Sequence, residues 1–268
     1  MAENILEKII KNKEKKIDLL KKSLSIEILK TKIDENKSFF NFKEKIVNNV
    51  NKNKISIIAE IKKASPSAGL IIQNYNPVNI AQIYDKNKAT CLSVLTEEDF
   101  FLGNLLHISK IKQKVNLPIL CKDFFIDKFQ VYLAKSYCAD AILIILAGVT
   151  DEVANILYEE AIKLNMSVIV EVHNVEEAKR SLKFKDALIG INNRNLKTLE
   201  VSLNTTISIF EVVKGHKGPL ISESGIKDEK DAKYIYEKTG IKNFLIGESL
   251  LKSDNPSSLM KKLIQITK

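Results

Sequence analysis

The sequence has little cysteine, and its cysteines and histidines are far apart. Cys91, Cys121 and Cys138 show no CxxC spacing, and their odd number argues against a disulfide framework. Each lies in or beside an apolar segment, so we predict buried, reduced thiols in a cytoplasmic protein. The three histidines show neither HxxxH nor HxH spacing. We therefore predict no metal site, and nothing in the sequence calls for a cofactor.

Long apolar runs and arginine are also scarce. The longest apolar run, Ala141 to Val149, is far short of the roughly 20 residues that span a bilayer. The N-terminus carries scattered charges and no apolar stretch typical of a signal peptide. The net charge is +9, but only Arg180 and Arg194 are arginines, whereas nucleic-acid readers use guanidinium groups freely. The scattered lysines indicate a compositional bias, so we predict no nucleic-acid partner and no membrane partner.

The first 48 or so residues are predicted to be a helical extension. Apolar residues recur there at helical spacing between lysines and glutamates, at Ile5, Leu6, Ile9, Ile10, Ile17, Leu19 and Leu20. A basic amphipathic helix can lie on a membrane. The pattern favours instead a helix that packs on its own domain and keeps one face in solvent.

From residue 55 onward, short apolar runs alternate with helical patterns. The runs begin at Ile55, Cys91, Leu117, Ala141, Ser167, Ala187, Pro219 and Asn243. Such alternation predicts parallel strands joined by helices, and eight units match a (β/α)8 barrel. We predict one domain over residues 1–268, with the extension at 1–48 and the TIM barrel at 55–268. A doubly wound open sheet is the alternative, but its GxGxxG fingerprint is absent.

Polar residues stand where these predicted strands end. They are Glu60 and Lys62, Thr96 and Glu97, Lys122 and Asp123, Glu171, Asn192 to Arg194, Ser222 to Ser224, and Glu248. In a barrel of this type, all these ends lie on one rim, where active sites are built. Unpaired buried charge is unfavourable, so we expect these groups to pair with each other or with a ligand. The alternative is a purely structural network of ion pairs.

Glycines follow the last two predicted strands. Gly225 in "SESGI" and Gly247 in "IGESL" stand where backbone N–H groups of this fold commonly hold a phosphate. A phosphorylated small molecule is therefore the predicted partner.

With these residues assembled, the chain resembles the indole-3-glycerol phosphate synthase family over essentially its whole length. "IIAEIKKASPSAGLI" is similar to the family signature of Glu, apolar, Lys, basic, any residue and Ser-Pro-Ser. It is joined in order by "SVLTEEDFFLG", "LPILCKDFFID", "EVHNVEEA", "IGINNRNLKT", "ISESGI" and "FLIGESLL". The resemblance implies closure of a pyrrole ring on an anthranilate-derived ribulose phosphate, with loss of carbon dioxide and water.

The resemblance also implies roles for the charged residues. Lys122 would be the acid that protonates the ketone oxygen, and partial desolvation would lower its pKa. Lys62 would contact the substrate carboxylate, oriented by Glu60. Glu171 would be the base of the dehydration, with Lys62 as an acid in that step; the two lysines can share these roles in more than one way.

The remaining implied site residues bind the substrate. Asn192 and Glu223 would hold its hydroxyl and amino groups, and Arg194 would brace the carboxylates or the substrate acid. Phe124 would pack on the aromatic ring or belong to the ordinary core. The phosphate site would comprise Ser65, Ser224, Gly225, Gly247 and the backbone N–H of Glu248, whose side chain would turn away.

Two rival functions remain open at this point. Another phosphate-binding barrel would need a different rim, such as a Cys–Asp pair or a metal-binding His/Asp set. A Lys-rich nucleic-acid or membrane-surface protein would leave the rim charges unexplained. The chain has no room for the isomerase domain fused to some family members, so we expect a single activity in a monomer.

Overall fold

Eight parallel strands close into a barrel in the computed structural model, which describes residues 5–36 and 39–267. The strands are β1 (Ser56–Ile61), β2 (Cys91–Leu95), β3 (Ile119–Lys122), β4 (Ala141–Ile145), β5 (Ser167–Val172), β6 (Leu188–Asn192), β7 (Leu220–Glu223) and β8 (Asn243–Ile246). Each strand pairs with its sequence neighbours, and β8 pairs with β1 to close the barrel. The predicted barrel and its eight strands are confirmed.

Both faces of these strands are buried, which explains their nearly continuous apolar runs. One set of side chains fills the barrel interior, including Ile58, Leu120, Leu143, Ile169 and Leu245. The alternate side chains pack outward against the helices in a second, larger cluster. The interior is therefore a packed core, and a cavity opens towards the carboxyl ends of the strands.

Helices follow the strands and cover the barrel. They are α4 (Pro77–Lys86), α5 (Leu106–Lys112), α6 (Lys128–Ser136), α7 (Asp151–Lys163), α8 (Val175–Ser181), α9 (Asn204–Val213), α10 (Glu229–Thr239), α11 (Glu248–Lys252) and α12 (Pro256–Ile264). Several begin at side-chain caps; Asp127, for example, forms a capping box with Gln130 at the start of α6.

The described part of the N-terminal extension consists of three helices, α1 (Ile5–Ser23), α2 (Ile26–Glu35) and α3 (Phe42–Asn51). The side chains of Ser25 and Asn41 cap α2 and α3 and mark the breaks between helices. The predicted apolar face is confirmed at Ile9 and Ile17, which are buried, but Leu19 and Leu20 are exposed. Residues 1–4 of the predicted extension lie outside the described part of the chain, as do 37 and 38.

The extension reaches both ends of the barrel. Ile5, Leu6 and Ile9 of α1 line the cavity at the mouth, and α2 packs against α6. Phe42 and Ile46 of α3 join the interior cluster, so α3 seals the opposite end. The segment that precedes the barrel therefore supplies both a wall of the cavity and the floor of the core.

Two further expectations concern cysteines and membranes. All three cysteines are free; Cys91 and Cys121 are buried, and Cys138 is partly exposed. Over residues 5–36 and 39–267, no helix combines the length and the apolar character needed to cross a bilayer.

Candidate active site

A cavity of about 510 Å³ lies at the carboxyl ends of the barrel strands. This volume falls within the range typical of small-molecule sites. The cavity is lined by twelve of the thirteen site residues predicted from the sequence: Glu60, Lys62, Ser65, Lys122, Phe124, Glu171, Asn192, Arg194, Ser224, Gly225, Gly247 and Glu248. Glu223 is fully buried beside them and contacts Lys122 without lining the cavity.

Lys122, the last residue of β3, lies among three carboxylates. Its Nζ is 2.9 Å from Oε2 of Glu223, 3.3 Å from Oε2 of Glu171 and 3.9 Å from Oε2 of Glu60. Burial alone would lower the pKa of Lys122, but the carboxylates outweigh it and raise the pKa above its usual value. The expectation of a lowered pKa was therefore wrong, because three acidic strand ends converge on one ammonium group.

Glu60 and Lys62 point to the same side at the end of β1. Alternate residues of a strand share a face, and Lys62 Nζ lies 2.5 Å from Oε1 of Glu60. Burial opposes ionisation of Glu60, but Lys62 and Lys122 outweigh burial, so the pKa of Glu60 is lowered. The carboxylate of Glu60 thus joins the two lysines at the cavity floor.

The carboxylates of Glu171 and Glu223 have pKa values shifted in opposite directions. Burial would raise the pKa of Glu171, but Lys122 and His173 outweigh it, so the pKa is lowered. Burial and the neighbouring Glu171 raise the pKa of Glu223 to about 7, although Lys122 opposes the shift. Oε1 of Glu223 is buried without a hydrogen-bond partner among the described residues. Such a pair, with pKa values pushed apart, can supply one base and one acid.

A turn after β7 forms one end of the cavity. Ser224 (φ 64°) and Gly225 (φ 82°) both adopt positive φ angles. Glycine adopts such angles readily, which favours glycine at position 225. A Cβ atom on Gly225 would lie 2.7 Å from Val201 Cγ1, so the close packing also requires glycine. Asn193 supports this turn, because its side-chain amide donates to the carbonyl oxygens of Glu223 and Ser224 at 3.1 and 3.0 Å.

Ser65 faces this turn across the cavity from the loop after β1. It belongs to a short hairpin that pairs Ala64–Ser65 with Gly69–Leu70. Its Oγ accepts a hydrogen bond from the Ala68 N–H at 3.2 Å and lies 3.4 Å from Oγ of Ser67. The hairpin therefore presents hydroxyl groups to the cavity.

Arg194 and Glu248 interact across the same end. Nη1 of Arg194 donates to the Leu199 carbonyl oxygen at 3.1 Å, and Nη2 lies 3.7 Å from Oε2 of Glu248. Glu248 also pairs with Lys252 at 2.6 Å. Both cations and Glu248 itself line the cavity, and the turning away of the Glu248 side chain stays a prediction.

Apolar side chains also line the cavity. The ring of Phe124 packs against the interior cluster and lies 6.2 Å from the ring of Phe101, centroid to centroid. Leu143 and Leu245 add aliphatic surface from the barrel interior. The cavity lining thus combines apolar side chains, charged strand ends and a polar turn with glycines.

Some polar strand ends serve the fold: Thr96 and Glu97 do not line the cavity, whereas Asp123 lines it and also holds α1. Glu97 accepts hydrogen bonds from the backbone N–H groups of residues 99–101 and so shapes the loop after β2. Thr96 donates to Asp123 at 2.6 Å, and Lys13 of α1 pairs with Asp123 at 2.7 Å. The predicted ring of functional groups therefore includes a structural ion pair that holds α1 over the mouth.

Two contributors were not predicted from the sequence as site residues. His173 contacts Glu171 from behind, although the motif "EVHNVEEA" contains it. Lys13 looks like any other lysine of a Lys-rich helix, and no sequence signal distinguishes it. Among residues 5–36 and 39–267, no group of three His, Cys, Asp or Glu side chains is placed to hold a metal ion.

Comparison with known proteins identifies the family. The model of the indole-3-glycerol phosphate synthase family matches residues 6–263. An indole-3-glycerol phosphate synthase of Trichodesmium erythraeum is 39% identical over 270 residues, which cover 99% of this chain and 90% of that protein. The tryptophan biosynthesis protein TrpCF of Buchnera aphidicola is 42% identical over 265 residues, which cover 98% of this chain and 56% of that longer protein.

A solved structure with the same fold is tryptophan synthase subunit alpha from Legionella pneumophila. It superimposes with a TM-score of 0.63 at 14% identity, covering 85% of this chain and 98% of that chain, and shows the barrel fold alone. The family match extends over nearly the full chain, in agreement with the order of the motifs and the charged rim. The chain belongs to the indole-3-glycerol phosphate synthase family.

Proposed function

We propose that the cavity converts 1-(2-carboxyphenylamino)-1-deoxyribulose 5-phosphate to indole-3-glycerol phosphate, carbon dioxide and water. The observation that carries this proposal is the position of Lys122, whose ammonium group lies among three carboxylates in a cavity that apolar side chains and a glycine-containing turn also line. A reacting centre, an aromatic ring and a phosphate respectively need these three environments.

Lys122 is the acid of the condensation. The aromatic carbon that bears the carboxylate attacks the ketone carbon, and the ketone oxygen gains negative charge as the new bond forms. The raised pKa keeps Lys122 protonated before the reaction, and the negative charge that develops on the ketone oxygen makes this oxygen basic enough to take a proton from the ammonium group. Glu223, at 2.9 Å, and Glu171 hold the ammonium in place.

Lys62 contacts the substrate carboxylate, and Glu60 orients Lys62 through their contact at 2.5 Å. The carboxylate leaves as carbon dioxide, and the electrons of the broken bond restore the aromatic ring. The hydroxyl formed in the condensation must then depart as water with a proton from an acid, and a ring proton must go to a base. Glu171 is the base, since its lowered pKa keeps it ionised, and Lys62 supplies the proton to the leaving hydroxyl.

The polar end binds the phosphate. Gly225, Gly247 and Glu248, after β7 and β8, line the cavity together with Ser65 and Ser224. Their backbone N–H groups and the two serine hydroxyls bind the phosphate. Arg194 braces Glu248 at this end.

The substrate hydroxyl and amino groups face the strand ends. Asn192, from the cavity wall, and Glu223, beside Lys122, hold these hydroxyl and amino groups. The substrate ring packs on Phe124. A single activity, a monomeric state and a cytoplasmic location stay predictions. Light scattering over a range of protein concentrations tests the monomeric state.

The decisive experiment measures indole fluorescence when the purified protein meets the ribulose phosphate. The wild-type protein should form product, and Lys122→Met should lose turnover by at least about 100-fold while remaining folded. Lys128→Met is the matched control, because Lys128 is exposed at the start of the helix that follows the same strand. A folded wild-type protein without product would overturn the proposed activity, and a near-normal Lys122→Met rate would remove Lys122 from the acid role.

A further inference from the structure

The imidazole of His173 is enclosed between two carboxylates behind the cavity. Its Nε2 lies 3.1 Å from Oε1 of Glu171, and its Nδ1 lies 3.0 Å from Oε2 of Glu177. The side chain is 7% exposed and does not line the cavity. The Nε2 contact is an ion pair without the alignment of a good hydrogen bond.

Both ring nitrogens therefore face anionic oxygens. A neutral imidazole has one N–H donor and one acceptor lone pair, so one nitrogen would face a carboxylate oxygen with its lone pair. The imidazolium carries a proton on each nitrogen and suits both neighbours. The geometry alone thus favours the charged form.

Among the described residues, the charged groups paired with the ring are two carboxylates. Glu171 approaches from β5 and Glu177 from the first turn of α8. Burial alone would lower the pKa of His173, but the two carboxylates outweigh burial and raise it to about 9. Lys122 lies on the far side of Glu171, at 3.3 Å from the other carboxylate oxygen.

Glu177 is itself held firmly. Its Oε2 accepts the His173 backbone N–H at 2.8 Å, and its Oε1 accepts the Asn174 side-chain amide at 2.6 Å. Asn174 caps α8 in return by accepting the Glu177 N–H. The chain Glu177–His173–Glu171 is therefore anchored at a helix N-terminus and ends at the cavity.

We propose that His173, as an imidazolium, is a positioning residue that fixes the orientation and the negative charge of Glu171 from behind. This inference rests on the proposed role of Glu171 as the base. Glu171 and Glu223 both contact Lys122, and two neighbouring buried carboxylates do not readily ionise together. His173 contacts only the first of them, so it decides which carboxylate carries the charge and which takes the proton.

A purely structural role makes a different prediction. If His173 only joined α8 to β5, its loss would lower the stability and leave the protonation of Glu171 unchanged. If His173 positions a charged Glu171, its loss raises the pKa of Glu171 and shifts the acidic limb of the pH–rate profile to higher pH.

The first test measures the charge of the ring in the wild-type full chain by ¹⁵N NMR of labelled histidines. The chain contains three histidines, and the signal missing from His173→Gln identifies His173. We expect both nitrogens of His173 to carry protons at neutral pH and to titrate near the value of about 9 given above. A neutral His173 ring at neutral pH overturns the proposal.

The second test compares the kinetics of His173→Gln, Glu177→Gln and Glu171→Gln. For His173→Gln we expect kcat to fall about 10- to 100-fold and KM to change little. The same loss of activity is typical when a residue that supports a metal ligand by a hydrogen bond is replaced. Its acidic limb should move to higher pH, and Glu177→Gln should show a smaller shift in the same direction. Glu177→Gln also serves if the histidine variant does not fold.

The outcomes separate this inference from the proposed function. If Glu171→Gln retains wild-type kcat, Glu171 is not the base and the proposed mechanism fails. If Glu171→Gln is inactive while both other variants keep the wild-type kcat and pH profile, the role of His173 is overturned and the proposed function stands.

Discussion

Glycine at position 190 of β6 makes room for the Glu223 carboxylate, and Gly190→Ala tests this. A Cβ atom at Gly190 would lie 2.0 Å from Oε1 of Glu223, which must move about 1.4 Å to reach the ordinary contact distance of 3.4 Å. A second contact, 3.0 Å from Ile169 Cγ2, adds to the crowding, because the backbone fixes the position of the alanine Cβ. The carboxylate is the mobile end of a side chain, so we expect it to shift before the backbone does.

The displaced carboxylate would disturb its contact of 2.9 Å with Lys122. A misplacement of about 1 Å at a reacting centre can lower the rate about 100-fold, so we expect kcat/KM of Gly190→Ala to fall by about that factor. Overpacking typically destabilises by about 1–3 kcal/mol, and the alanine offsets up to about 1 kcal/mol of this through the unfolded chain. The protein should therefore remain folded.

The assay combines indole fluorescence for kcat/KM with urea unfolding for stability. Gly215→Ala is the matched control, because no atom lies within 4 Å of a Cβ at Gly215 and its φ angle is not positive. We expect wild-type activity from this control. A folded Gly190→Ala with wild-type kcat/KM would refute the reasoning, since the position of Glu223 would then not matter for the reaction.

Three further perturbations follow from the same contacts. Gly247→Ala would place a Cβ atom 2.3 Å from Oε1 and 3.0 Å from Cβ of Glu60. The Cβ atom of Glu60 cannot move without the backbone of β1, so we expect this variant to unfold at a lower urea concentration and to have a reduced kcat/KM. Lys13→Met removes one partner of a buried ion pair and should lower the free energy of unfolding by about 3 kcal/mol in urea titrations. Lys15 is exposed, so Lys15→Met should change this free energy by under about 0.5 kcal/mol. Equal effects of the two substitutions would contradict this prediction. The raised pKa of His173 makes its stabilising contribution complete below pH 6.5, and this contribution is lost as the pH rises to about 9. The free energy of unfolding of the wild-type protein should therefore fall more over this pH range than that of His173→Gln. Parallel pH profiles of the two proteins would argue against a charged ring.

The barrel was predictable because parallel strands buried on both faces leave nearly continuous apolar runs. Residues such as Glu60 and Lys122 interrupt those runs at one end only, so the position of the rim was also readable. Twelve predicted site residues line one cavity because the carboxyl ends of all strands share that rim.

What could not be predicted depends on distances between strands. The carboxylates that raise the pKa of Lys122 come from β1, β5 and β7, and their convergence exists only in the closed barrel. Glu223 lies behind Lys122 because of its position around the barrel, which periodicity does not give. His173 follows its strand with no metal-like spacing, so its two carboxylate neighbours become visible only when α8 is in place.

The breaks in the N-terminal extension illustrate a different limit. Helical spacing predicts the apolar faces well, but the ends depend on side-chain caps at Ser25 and Asn41, where serine and asparagine also fit the surface of a continuing helix. Leu19 and Leu20 fit the spacing and are exposed, because little of the protein packs over that part of α1.

The helix that seals the end of the barrel has a consequence for folding order. Phe42 and Ile46 belong to the same cluster as Leu245 of the last strand, and β1 pairs with that strand as well. During synthesis Phe42 and Ile46 leave the ribosome early, but they can be buried completely only after β8 has been made, because the barrel closes only then. Contacts of such long sequence separation form slowly, and until they form the exposed apolar side chains of α3 can promote aggregation. Folding of this enzyme is thus tied to completion of its chain, and a truncated product without β8 would have neither a closed ring nor a finished core.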